Sequence, residues 1–178
     1  MERTIRIFLP VQGDPSATLA AFLDEPIRWL PAGRLGERGL TSTVRAGGMS
    51  RNVLVRVGDP WVVGATHWRS LRWDPLGDDE GPGRTDRLLP AFDGELGLHV
   101  LEQGSPSEPT KPNSLPGPTK TGRITLILDG RYVPPGGSVG AAIDGVAMGR
   151  VAQRSLERFL EDLAANLQER ADLAMQPQ

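Results

Sequence analysis

The chain is 178 residues long, with 38% apolar residues, 24% charged residues and a formal net charge of −2. These values are typical of one globular domain of ordinary composition. The chain has no cysteine, which excludes disulfide scaffolds, thiolate metal sites and cysteine nucleophiles. The near balance of 20 basic and 22 acidic residues predicts no general attraction to nucleic acid.

The N-terminal residues predict neither a signal peptide nor a membrane anchor. Its apolar run, within residues 4–11, is too short for a signal peptide and soon meets Gly13, Asp14 and Pro15. No segment approaches the roughly 20 apolar residues of a membrane span. We therefore expect a cytoplasmic protein without integral membrane association.

The first 30 residues predict a strand followed by short helices. Apolar residues alternate over 4–9, as in a half-buried strand. Asp14 and Pro15 then predict a helix start, with the aspartate as N-cap and the proline at the first helical position. Pro26 interrupts this helix, so a second helical turn is expected at 27–30.

The middle of the chain has the period-two pattern of an antiparallel sheet. Short runs of alternating apolar residues are separated by Gly, Pro and Asp clusters, which favour turns. The predicted strands are 40–46, 52–57, 63–73, 89–102 and 123–133.

The C-terminal part predicts one long amphipathic helix over about 138–174. Apolar residues recur at spacings of three and four, and charged residues occupy the opposite face. The sheet is the only predicted element large enough to cover the apolar face. Gly145 and Gly149 weaken the first half of this helix, which indicates close approach to the sheet, room for a guest or simple tolerance.

The segment 104–122 is dense in Pro, Ser, Thr and Gly and nearly free of large apolar residues. Such a composition does not bury enough surface to order itself. We interpret it as a flexible connection between the last two strands, because those strands need each other. One domain over 1–178 is therefore expected.

The strand phases identify an unusual pair of polar residues. Successive side chains in a strand point to opposite faces, so the apolar set marks the face that meets the helix. In the run 63–73, Leu71 and Trp73 set this phase, and His67 and Arg69 share it. Trp68 and His99 fall on the opposite phase, which predicts outward positions.

Two interpretations of Arg69 remain open. An inward guanidinium needs partners, because an isolated buried charge is very costly. It would lie near a strand end and either stack on Trp73 or extend to solvent. Alternatively, His67 and Arg69 are polar groups that orient a ligand carbonyl or carboxylate in an apolar cavity.

No cofactor motif was found. The acidic cluster 78–80 lacks EF-hand spacing, and two histidines without cysteine make a zinc site improbable. The run PPGGSVG at 134–140 lacks the lysine of a phosphate-binding loop. We expect no metal and no nucleotide cofactor.

Several segments, together with the order of predicted elements, resemble the START-like or SRPBCC superfamily, and within it the polyketide cyclase/dehydrase-like proteins. The resemblance covers essentially the whole chain, although none of the matching segments is a catalytic signature. They are WLP at 29–31, SLRWDP at 70–75, LLPAFDGELGLHVLE at 88–102, LDGRYVPPGGSVGAAID at 128–144 and RVAQRSLERFLEDLAANL at 150–167.

This resemblance implies an α+β helix-grip fold. A curved antiparallel sheet would wrap around the long C-terminal helix, with two short helices after the first strand and a cavity between sheet and helix. The implied cavity lining is His67, Arg69, Leu71, Trp73, Leu96, Leu98, Leu126, Leu128, Tyr132, Val139, Ile143 and Val146. The segment 104–122 departs from the usual short hairpin. The resemblance therefore makes no prediction about how a ligand would enter that cavity.

The leading hypothesis is binding of a hydrophobic or amphipathic small molecule, with His67 and Arg69 at its polar end. The alternative is a polyketide cyclase, aromatase or dehydratase, in which a shaped cavity favours one ring closure. His67 would then act as general acid or base, and Arg69 or Tyr132 would polarise a carbonyl. A third hypothesis is a domain with a filled core that acts through a protein partner. The sequence leaves the ligand and the oligomeric state open, a homodimer included.

Overall fold

The structure is a computed structural model that describes residues 2–46, 48–76, 89–101, 122–133 and 145–176, with the backbone alone for 145–148. The helices within these ranges are α1 (Pro15–Leu23), α2 (Pro26–Trp29) and α3 (Gly145–Met175). The strands are β1 (Arg3–Val11), β2 (Arg34–Gly36), β3 (Gly39–Ala46), β4 (Met49–Val57), β5 (Trp61–Val63), β6 (Thr66–Pro75), β7 (Ala91–Leu101) and β8 (Arg123–Val133).

The strands of the described ranges form one antiparallel sheet in the order β1-β8-β7-β6-β4-β3-β2, and β5 pairs with the first residues of β6. The helix α3 contacts β1 at one edge of this sheet and β3 next to the other edge. A helix reaches both sides of a sheet in this way when the sheet curves around it. The predicted helix-grip α+β fold is therefore confirmed by the strand order and the helix contacts.

The short helices begin where the sequence indicates. The Asp14 carboxylate accepts a hydrogen bond from the backbone N–H of Ala17 at 2.8 Å, and Pro15 occupies the first position of α1. This is the N-cap geometry expected from the dipeptide. The second short helix begins at Pro26, one residue before the predicted 27–30.

The predicted strand 63–73 was wrong as a single element. The chain turns at Gly64 and Ala65, and the residues on either side form the hairpin of β5 and β6. Gly64 has a φ of +60°, a left-handed conformation that glycine adopts without steric cost. The short edge strand β2 was also not predicted, since three residues carry no readable periodicity.

The core lies between the sheet and α3. One face of α3 is fully buried and carries Leu156, Phe159, Leu160, Leu163 and Leu167. In the sheet, the Trp73 ring stacks on Phe92 with ring centroids 4.7 Å apart. The same indole lies 4.8 Å from the Phe159 ring. The indole N–H donates to the carbonyl of Pro90 at 2.9 Å, so its one polar group is satisfied inside the core.

Several predictions concern residues outside the described ranges. These are the acidic cluster 78–80, the connection 104–122 apart from Gly122, the run 134–140 and the start of the C-terminal helix before residue 145.

Candidate functional site

Six of the predicted cavity-lining side chains form the packed centre of the molecule. Each has a solvent-accessible fraction of 1% or less. A side chain without accessible surface borders no space that holds a water molecule. The structure therefore places these residues in the core against α3. They are Leu71, Trp73, Leu96, Leu98, Leu126 and Leu128.

Arg69 lies on the inward phase of β6, as the sequence predicted, and is buried. Its guanidinium donates to the carbonyl of Leu23 at 2.9 Å, to that of Asp24 at 3.3 Å and to that of Gly58 at 3.2 Å. It also lies 5.8 Å from the centre of the Phe22 ring, a cation–π contact. Its polar contacts are thus with the end of α1 and with the β4–β5 connection.

Burial lowers the pKa of Arg69, because desolvation disfavours the charged form, and the charge of Asp59 partly opposes this. An arginine remains protonated at neutral pH even so. Nη1 and Nη2 donate to backbone carbonyls, and Nε is buried without a partner among the described residues. The guanidinium is therefore held mainly by the protein backbone.

His67 and Tyr132 lie far from each other on the inward face. His67 is half-buried and pairs in register with Val62 of β5 and Leu98 of β7. Tyr132 is buried near the end of β8, opposite Arg3 and Phe92. The sheet therefore separates these two candidates by six residues along β7, from Leu98, which pairs with His67, to Phe92, which pairs with Tyr132.

The outward positions of Trp68 and His99 agree with the predicted phase. The Trp68 ring covers Gly97, where a Cβ would lie 2.7 Å from the ring. The Oγ1 of Thr66 and the Nδ1 of His99 are hydrogen-bonded at 2.8 Å. Three predicted lining residues are not placed: Val139 and Ile143 lie outside the described residues, and the side chain of Val146 is not described.

A cleft lies where the edge of the sheet meets α3, with a volume of about 470 Å³. Its lining joins the end of β3 and the β3–β4 turn to the first half of α3. The lining residues are Arg45, Gly48, Val151, Arg154, Ser155 and Arg158. We call this space the seam cleft.

The seam cleft is bordered by three guanidinium groups. Arg154 and Arg158 are one helical turn apart on α3, where side chains at this spacing are neighbours. Arg154 has no ion-pair or hydrogen-bond partner among the described residues. Arg158 makes one exposed contact, 3.1 Å to the Glu161 carboxylate. Like charges at this spacing destabilise a helix slightly, and a bound anion would remove that cost.

Arg45 faces the two helical arginines from β3 and pairs with Asp162 of α3. Nε donates to Oδ2 of the carboxylate at 2.9 Å, and a second N–H donates to Oδ1. These hydrogen bonds, followed by the charge of Asp162, raise the pKa of Arg45. The pair links the edge of the sheet to the helix across one end of the seam cleft.

Sequence reasoning did not single out these arginines. It assigned Arg154 and Arg158 to the solvated face of the helix and did not consider Arg45. The sequence carried a weak signal for this site. Arg154 and Arg158 are four residues apart, and so are Val151 and Ser155. That spacing indicates a basic row beside a small-residue row, but it does not show that a strand lies opposite.

Two other clefts occur in the described part of the chain. One, of about 630 Å³, lies around the β2–β3 turn and the exposed Thr41, Thr43 and Asn52. The other, of about 530 Å³, lies between α1 and the end of α3 and includes Arg28 and Arg170. Of these three clefts, the seam cleft alone lies between the sheet and α3 and brings three arginines together.

Within the same ranges, no group of three potential metal-binding side chains lies together. No helix in the described part of the chain combines the length and apolar character required to cross a membrane.

A comparison with solved structures found similarity to a START superfamily protein from Mycobacterium smegmatis. The two share 12% sequence identity, with a TM-score of 0.44 over 97% of this chain and 99% of the other. At this level of similarity, the description of the fold rests on the strand pairing and helix packing given above. No protein-family model and no curated protein matches the chain.

Proposed function

We propose that this protein binds a small amphipathic molecule with an acidic group in the seam cleft. The observation that supports this most directly is the convergence of Arg45, Arg154 and Arg158 on one cleft, with Arg154 unpaired among the described residues. The cleft volume, about 470 Å³, lies within the range of small-molecule sites. Val151 and the methylene stems of the arginines supply apolar surface beside the charges.

The proposal keeps the predicted ligand class but moves the polar anchor. His67 and Arg69 were expected to hold the polar end of a ligand. Arg69 instead donates to three backbone carbonyls, while Arg154 has no hydrogen-bond partner among the described residues. Since a cyclase or dehydratase mechanism relied on His67 with Arg69 or Tyr132, simple binding is the function that the described geometry favours.

The direct test is a calorimetric titration with decanoate, using decanol as the neutral analogue of equal chain length. We expect the protein to bind decanoate and not decanol. Arg154→Gln and Arg158→Gln should each weaken decanoate binding about tenfold, because each removes a charge-assisted hydrogen bond. Arg150→Gln is the matched control, since Arg150 is exposed on the same helix but does not line the cleft.

Either of two results would overturn the proposal. One is the absence of decanoate binding by a folded protein. The other is an equal loss of affinity in all three variants, which would indicate general attraction to a basic helix. If decanoate binds as expected, native mass spectrometry of gently purified protein should identify the natural ligand. We expect an acidic adduct on the wild-type protein that is absent from Arg154→Gln.

A further inference from the structure

The row of charged residues along α3 ends in a carboxylate. Arg154, Arg158 and Asp162 follow one another at four-residue spacing and therefore share one face of the helix. Arg45 reaches across from β3 to the carboxylate of Asp162. Among the three arginines of the seam cleft, Arg45 is therefore the one held by a two-point contact.

The geometry of this pair leaves Arg45 within reach of the cleft. The side chain of Arg45 is 52% exposed, whereas that of Asp162 is 22% exposed. Arg45 also lines the cleft, but Asp162 does not. An anion in the cleft would thus meet the guanidinium from the open side, while the carboxylate of Asp162 holds it from the helix side.

We propose that Asp162 is the internal counter-ion of the seam cleft and sets the selectivity of the cleft for anions. This inference rests on the proposed function. It does so in two ways. Its hydrogen bonds occupy the donors of Arg45 that would otherwise bind the ligand, and its negative charge lies one helical turn from Arg158. A ligand with a doubly charged head group, such as a phosphate monoester, competes with Asp162 for Arg45 better than a carboxylate does.

The test compares decanoate with decyl phosphate on the wild-type protein and on Asp162→Asn. We expect decyl phosphate to bind more tightly than decanoate to the wild type. Asp162→Asn should tighten decanoate binding about fivefold, because it removes a nearby negative charge and frees Arg45. Raising the salt concentration should reduce that gain. Glu169→Gln, an equal charge change on the exposed face of α3, should alter the affinity less than twofold.

A second variant covers the case in which Asp162→Asn fails to fold. Arg45→Gln leaves the carboxylate of Asp162 unpaired at the end of the cleft. The double variant Arg45→Gln/Asp162→Asn removes that charge and should bind decanoate more tightly than Arg45→Gln does. A merely structural role of the pair predicts no gain of affinity in any variant, so a tighter complex is the diagnostic result.

The outcomes separate this inference from the proposed function. If the wild type binds decanoate and folded Asp162→Asn binds it equally or more weakly, the inference is wrong and the binding function stands. If neither folded protein binds either amphiphile, both are wrong. Tighter binding by Asp162→Asn than by the wild type supports both.

Discussion

At the scale of single residues, Arg69 shows how a buried cation is stabilised when no carboxylate of the described residues contacts it. Three backbone carbonyls from Leu23, Asp24 and Gly58 accept its hydrogen bonds, and the Phe22 ring lies against its face. The last carbonyls of a helix lack partners inside the helix and carry partial negative charge. Arg69 therefore serves as a cationic cap for α1 and ties that helix to β6.

Replacing Arg69 should therefore destabilise the fold. We expect Arg69→Met to lower the free energy of unfolding by about 2 kcal/mol, because three part-buried carbonyls lose the hydrogen bonds that the guanidinium donates. Urea denaturation measures this value. Arg72→Met is the control on the same strand, since Arg72 is exposed and should change stability by less than about 0.5 kcal/mol. Unchanged stability of Arg69→Met would contradict the capping role and favour the ligand-binding role predicted from the sequence.

At the scale of elements, the pairing of β7 with β8 depends on two glycines. Gly94 and Gly130 face each other across the strands. A Cβ at position 94 would lie 2.6 Å from the Cα of Gly130, would overlap the carbonyl oxygen of Asp129 and would lie 2.8 Å from the Phe92 ring. Two of these three neighbours are backbone atoms, which do not move without disturbing the strand pairing.

Gly94→Ala should therefore be costly. We expect a loss of about 2–3 kcal/mol in unfolding free energy, the usual cost of forcing extra atoms into a packed site. Gly36→Ala on β2 is a suitable control, because a Cβ there meets nothing within 4 Å. Thermal unfolding of both variants gives the comparison, and equal midpoints would show that the strands separate easily at this point.

The helical Gly149 differs from these strand glycines. A Cβ there would meet the end of the Arg3 side chain and no backbone atom. The sequence offered three explanations for glycine in the first half of the helix. At position 149 the structure supports the first of them, close approach of the helix to the sheet.

At the scale of the whole molecule, the sheet and α3 share one packed interior. Phe159 projects from α3 against Trp73, which in turn stacks on Phe92, so one aromatic cluster joins the helix to two strands. All three side chains are essentially without solvent contact. Ligand binding in this centre would require rearrangement of the core, whereas binding in the seam cleft would not.

Phe159→Ala should lower the unfolding free energy by about 4 kcal/mol, since it removes buried contacts and leaves a cavity. The variant should also shift the fluorescence emission maximum, because Trp73 loses its neighbour. Phe8→Ala is the control, as Phe8 is 60% exposed. Similar stability of the two variants in chemical denaturation would mean that the interior is loosely packed.

Much of the fold was predictable because burial leaves a local record in the sequence. The alternation of Ile5, Ile7 and Leu9 indicates a strand with one buried face, and β1 extends over Arg3–Val11. Likewise, the helical spacing of Phe159, Leu163 and Leu167 predicts the buried face of α3. The hairpin at Gly64 was missed because residues on both sides of the turn continue the same period.

The sequence by itself determined most of the elements, apart from β2 and the β5–β6 hairpin, as well as which of their faces are buried and where α1 is capped. Only the tertiary structure decided that the centre is packed, that Arg69 binds carbonyls from α1 and the β4–β5 connection, and that three arginines border one cleft. The reason is physical. Periodicity depends on neighbours within a few residues, whereas the pairing of Arg45 with Asp162 joins atoms 117 residues apart. Such a contact exists only after the sheet has curved around the helix.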